Sequence, residues 1–239
     1  MLFSGYTPEF LKKQIDTLRS HLVDKNAPFG VDLLLPQVGG NARKTNYDYT
    51  DGKLPELIDI IIQEKVKLFV SAVGIPPEWV VEKLHAANIP VMNMIGAPKV
   101  KIFKFFFFLL KVNSHFVKQH VSKCLAAGVD IICAQGGEGG GHTGDVATSI
   151  LIPKVVDLCK GARSALTGGP VYVVAAGGIF DGRGVAAALS WGGKIQAGCQ
   201  LRFKIDKFAS SCSSSGLGGD TFCMRYRGRS TSASPASDH

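Results

Sequence analysis

Short, almost unbroken apolar runs alternate along this chain with segments whose apolar residues recur at helical spacing, and few folds accept that order. The first run, Phe29-Gly30-Val31-Asp32-Leu33-Leu34-Leu35-Pro36, reads as a buried strand. Strands follow at Lys67 to Val73, Pro90 to Ile95, Val129 to Ala134 and Val171 to Ala176. Between and after them, helices are predicted over Pro77 to Ala87, His120 to Ala127, Ile150 to Cys159 and Gly182 to Ser190. A helix also precedes the first strand. Thr7 can cap it, Pro8 suits its first position because the missing N–H has no partner there, and Leu11, Ile15, Leu18 and Leu22 repeat on one face. Strands without polar alternation, joined through amphipathic helices, imply a parallel sheet covered on both faces. A barrel and a doubly wound sheet both satisfy this pattern.

The chain has 239 residues and is 46% apolar, enough for one sizeable core, and single α/β barrels reach about 250 residues. Cys124, Cys133, Cys159, Cys199, Cys212 and Cys223 form no CxxC pair, so neither a zinc site nor a disulfide framework is expected. The start, Met1-Leu2-Phe3-Ser4-Gly5, lacks the regions of a signal peptide. A cytoplasmic, reduced protein is the expectation.

The net charge of +8 raises nucleic acid as a partner, but its distribution argues against one. Lys101, Lys104, Lys111 and Lys118 lie in residues 100–119 without any acid. Residues 194–239 hold seven basic residues against Asp206, Asp220 and Asp238, and the rest of the chain is neutral. No nucleic acid and no membrane are therefore expected. The run Ile102 to Leu110 falls short of the roughly 20 apolar residues that span a bilayer.

Two segments carry chemistry. The first, Cys133-Ala134-Gln135-Gly136-Gly137-Glu138-Gly139-Gly140-Gly141-His142, ends a strand in a glycine-dense loop that closes on a histidine. Glycine lets backbone amides approach a ligand, and loops at the C-terminal ends of barrel strands build the active site. A histidine there suits general base catalysis, its ordinary pKa being about 6.5. The second segment, Ala175-Ala176-Gly177-Gly178-Ile179-Phe180-Asp181-Gly182-Arg183-Gly184, ends a strand in paired glycines before a helix start. Such a turn can offer amides and a helix dipole to a phosphate, or can simply reverse the chain. Glu138 either orients His142 or solvates the loop. There is no P-loop, and no GxGxxG follows the first strand, which lowers a dinucleotide reading.

Together, Gln-Gly-x-Glu-x-Gly-Gly-His ending at His142 and Ala-Ala-Gly-Gly-Ile-x-Asp-Gly-Arg-Gly ending at Gly184 resemble the nitronate monooxygenase (2-nitropropane dioxygenase) family. Phe29 to Gln37 and Pro90 to Gly96 resemble that family's second and fourth strands, and the likeness covers residues 5–99 and 120–193. The resemblance implies an α/β fold, a (β/α)8 TIM barrel, with FMN at its top. It implies that His142 takes the α-proton of neutral nitroalkanes, that Gln135 and Gly140 contact the flavin, and that Gly177 and Gly178 hold its phosphate. Asp32 stands where many members have an FMN-contacting Asn. The implied reaction passes an electron from an alkyl nitronate to FMN, traps the radical with O2, and yields a carbonyl compound and nitrite. The alternatives are a related FMN barrel such as an enoyl-acyl-carrier-protein reductase, an inert truncated product, or a nucleic-acid binder acting through the basic segments.

The resemblance also marks what does not fit. Residues 1–193 are expected to form an incomplete barrel, its first strand missing, its last strands mistranslated, and residues 100–119 an aberrant insert. Removing that insert joins Lys99 to His120 by a short connection, and codons for Val100 and Gln119 can supply intron borders. Residues 194–239, Ser-rich and without periodicity, are expected to be a non-native, disordered tail.

Overall fold

The computed structural model describes residues 7–35, 49–96, 106–140 and 143–192, with residues 106–115 described as backbone only. The predicted tail and the first part of the predicted insert lie outside these residues, as does His142.

Helix α1 (Pro8–His21) starts as the sequence implies, with Thr7 Oγ1 accepting from Phe10 N at 3.2 Å. Strand β1 (Gly30–Leu34) leads to helix α2 (Leu54–Gln63), which the reading of the sequence did not name. Leu54, Leu57, Ile58 and Ile61 are its buried stripe, and Pro55 sits in its first turn. Strand β2 (Leu68–Val73), helix α3 (Glu78–Ala86) and strand β3 (Val91–Ile95) follow. Helix α4 (Phe106–Ala126) runs unbroken through much of the predicted insert into the predicted helix, and Val117 is buried in the core. Strand β4 (Ile131–Gln135), helix α5 (Thr148–Cys159), strand β5 (Tyr172–Ala176) and helix α6 (Gly182–Ser190) complete the described elements.

The five strands form one parallel sheet in the order β1-β2-β3-β4-β5. Among the described residues each strand pairs with its successor and the order never reverses, so they contain no topological switch point of the doubly wound kind. The helices share one side. Val31 and Leu33 of β1, Phe69 of β2, Val91 and Ile95 of β3, and Ile132 and Ala134 of β4 pack there with Leu11, Leu57, Leu84, Val121 and Leu151 of the helices. The other face holds a small cluster, Val70, Met92 and Cys133 with Met94 and Val174, to which only strand residues contribute among the described residues. Among the described residues, helices therefore cover one face of the sheet and not both. A continuous parallel sheet with helices outside and strand side chains inside is the layering of a (β/α)8 barrel, of which these are consecutive units. Among the described residues β1 and β5 are its open edges.

A buried carboxylate organises the N-terminal edge. Asp130, just before β4, accepts from Val91 N at 2.8 Å, Ser164 Oγ at 2.6 Å and Leu166 N at 3.4 Å, and meets His85 Nε2 at 2.9 Å. It therefore joins α3, β3 and the loop before β5. At the outer rim Glu64 binds Arg19 and, at 3.0 Å, Lys12 Nζ, clamping α1 to the end of α2. The Lys12 ammonium and the Arg19 guanidinium hold the Glu64 carboxyl below its ordinary range despite partial burial.

Candidate functional site

The site is assembled where β4 and β5 end. Gly136 N donates to Ala176 O at 3.0 Å, carrying the ladder one residue beyond β4. The chain then turns tightly, with Gly139 N on Gly136 O at 3.0 Å and Gly137 N on Val146 O at 2.8 Å. Gln135 Nε2 donates to Gly140 O at 3.1 Å, so the strand's last side chain braces the far end of its own loop. Gln135 and Gly140, expected at the same ligand, are brought together.

The β5 loop lies directly against this turn. Gly177 and Gly178 have φ of +98° and +67°, the left-handed region that glycine tolerates and larger residues resist. A Cβ on Gly177 would lie 2.9 Å from both Gly136 N and Gly136 O, and one on Gly178 would lie 3.0 Å from Glu138 Cβ. A Cβ on Gly136 would lie 2.0 Å from Thr148 Oγ1. The glycines are thus required for the two loops to interlock. The amides of Gly177 and Gly178 have no hydrogen bond within the described residues. At the start of α6, by contrast, Asp181 carries the cap itself, accepting from Arg183 N at 3.0 Å and Gly184 N at 3.1 Å. The first turn of that helix is thus already capped by its own residue.

Glu138, whose role the sequence left open, reaches the start of α5. Its carboxylate accepts from Thr148 N at 2.9 Å and Thr148 Oγ1 at 2.7 Å. The residue at the N-cap of α5 is Ala147, which has no side-chain acceptor. Glu138 supplies the missing cap from ten residues away, and its charge also suits the positive helix end. The Thr148 hydroxyl lowers the Glu138 pKa, keeping the group an anion. Thr148 Oγ1 is also 2.9 Å from Gly177 O, so this one side chain touches both loops. Sequence reasoning missed Thr148 because it looks like an ordinary helix-start threonine.

Asp32 stands apart. It is on β1, three strands from β4, in register with Val70 and through it with Met92 and Ile131 on the inner face, and it has an interaction of its own. A further buried polar post, Asn93, donates to Ser71 O at 3.0 Å and Gly74 O at 2.7 Å and accepts from Cys124 Sγ at 2.6 Å, holding the β2 loop to β3 and α4. Burial pushes the Cys124 and Cys133 thiols up to about 12 and Cys159 up to about 11, which leaves these residues as packing groups and not nucleophiles. No group of metal-ligating side chains occurs among the described residues, and none of their helices is long and apolar enough to cross a membrane.

Serial parallel β/α units with polar, glycine-built loops at the strand ends define a barrel scaffold of the kind that houses enzymes. The sequence model of the family "Nitronate monooxygenase" matches residues 108–201. Over that stretch the chain is similar to this family. It is 32% identical over 164 residues to a probable nitronate monooxygenase of Staphylococcus aureus (strain Newman), covering 64% of this chain and 38% of that protein. It is 36% identical over 171 residues to (3aS,4S,5R,7aS)-5-hydroxy-7a-methyl-1-oxo-octahydro-1H-indene-4-carboxyl-CoA dehydrogenase of Rhodococcus jostii (strain RHA1), covering 72% of this chain and 35% of that protein. The structure of FabK from Thermotoga maritima superposes with a TM-score of 0.53 at 27% identity, over 78% of this chain and 45% of that one. The chain therefore spans about a third to a half of the relatives it matches.

Proposed function

We propose that the protein binds FMN and oxidises alkyl nitronates with O2 to a carbonyl compound and nitrite. One observation carries the reading: the paired glycines after β5 present two backbone amides with no hydrogen bond among the described residues, in a turn that only glycine fits. That arrangement suits the phosphate of FMN, and Gln135 and Gly140 lie on the adjoining loop to meet the rest of the cofactor. Asp32, on the inner face, is the third proposed contact. Bound FMN supplies the electron-accepting chemistry. The chain's own part is to hold it, to shield it, and to place a base. We assign that base to His142, which removes the α-proton from a neutral nitroalkane. A nitronate has already lost this proton. The chain loaded with FMN is therefore expected to release nitrite from propane-2-nitronate whether residue 142 is His or Ala, whereas His142→Ala lowers turnover of 2-nitropropane by about 100-fold or more. Equal losses on both substrates would remove His142 from the proton transfer.

A second reading has its own support, since the Rhodococcus relative is named for a carboxyl-CoA substrate. On that reading the flavin oxidises a coenzyme A thioester. Anaerobic bleaching of bound flavin by an acyl-CoA, without nitrite release from nitronates, would select it. Consumption of NAD(P)H without nitronate would select the reductase alternative.

A further inference from the structure

The Thr148 hydroxyl contacts both glycine loops. It has one proton and faces two acceptors, Glu138 Oε2 at 2.7 Å and Gly177 O at 2.9 Å. The second contact has a geometric consequence. Gly177 O and Gly178 N belong to one planar peptide unit, in which C=O and N–H point in opposite directions. Holding the carbonyl toward α5 aims the Gly178 amide away from α5. At a left-handed glycine pair the peptide plane has more rotational freedom than anywhere else in the loop, so an anchor there matters. Glu138 keeps Thr148 in place by bonding both its amide and its hydroxyl, and α5 supports the threonine through the buried Leu151 and Ile152 one turn on.

We propose that Thr148, braced by Glu138, is a positioning residue that orients the Gly177–Gly178 peptide toward a phosphate. The inference rests on the FMN reading above and deepens it. It names a residue outside both glycine motifs as the one that sets their phosphate-binding geometry. Removing the hydroxyl frees the peptide to rotate while leaving the loops and the glycines present. Thr148→Val preserves shape but removes the hydroxyl and both of its contacts, whereas Thr148→Ser keeps the hydroxyl.

The test compares FMN with riboflavin, which shares the isoalloxazine and ribityl groups and lacks the phosphate. The full chain and its variants are titrated with each by flavin fluorescence. Thr148→Val is expected to weaken FMN binding about tenfold and to leave riboflavin binding within about twofold of the parent. Thr148→Ser is expected to restore FMN binding to within about threefold. Should valine prevent folding, Thr148→Ala carries the same expectation. An equal loss for both flavins, or no loss for either, would overturn the assignment of Thr148 while leaving the parent chain's FMN preference standing. A parent chain that binds FMN no more tightly than riboflavin would overturn the phosphate site itself, and the role of Thr148 with it.

Discussion

Replacing Asp130 should separate stability from function, because it lies at the end of the sheet away from the glycine loops. Its two oxygens serve three close partners, Val91 N at 2.8 Å, Ser164 Oγ at 2.6 Å and His85 Nε2 at 2.9 Å, with Leu166 N a weak fourth at 3.4 Å. Asp130 and Ser164 are each 3% exposed and Val91 is fully buried, so water cannot replace the carboxylate. Asp130→Ala strands at least two buried donors at about 1–3 kcal/mol each, and with the lost His85 hydrogen bond the cost is about 3–5 kcal/mol. For a chain this long that corresponds to a Tm lower by on the order of 10 °C. Asp130→Asn should cost only about 1–2 kcal/mol. Its carbonyl can keep Val91 and His85, and its amide can donate to Ser164 Oγ, which already accepts from Thr167 N at 3.0 Å. Urea denaturation followed by circular dichroism measures both. The flavin dissociation constant of each folded variant should match the parent. An alanine variant within about 1 kcal/mol of the parent, or an asparagine as costly as alanine, would refute the accounting. A variant that loses flavin affinity at unchanged stability would refute the division between the two ends of the sheet.

Cys124, Cys133 and Cys159, buried and with raised pKa, should resist iodoacetamide at pH 8 in the native chain and react only on unfolding, as read by peptide mass mapping. Glu64 has a lowered folded pKa, so its contribution is present above its unfolded pKa and is lost as pH falls through the folded value. Glu64→Gln should therefore destabilise the chain at pH 7 by no more than about 1 kcal/mol, and the difference from the parent should shrink as the solution is acidified below pH ~4. A gap that persists in acid would assign the loss to packing of α1 on α2 and not to charge.

The parallel α/β layering was legible because each strand is a run of apolar residues bounded by glycine or proline, and α6 began at the residue marked by Asp181 and ended where its pattern did. Helix α2 carries the same stripe, Leu54, Leu57, Ile58 and Ile61, yet it follows a long connection and was passed over. Which side of the sheet the helices take cannot be read from hydropathy, since a barrel interior and a helix-facing surface are both apolar. It follows instead from the strand order. Within residues 100–119, expected to be an insert, the backbone from Phe106 onward is helical and forms the first part of α4. Within the site, the glycines announced themselves by density, and their packing shows why. Thr148 did not, and Glu138 was noticed without its role, because both act through contacts across ten and twenty-nine residues that no local spacing encodes.

We propose that the loops after β4 and β5 hold a flavin mononucleotide. The visible absorption spectrum of the purified 239-residue chain, titrated with FMN, tests it most directly. Saturable shifts and fine structure in the flavin bands are expected as the isoalloxazine leaves water, weakened by Thr148→Val. A folded chain that leaves the spectrum of free FMN unchanged at every concentration would contradict it.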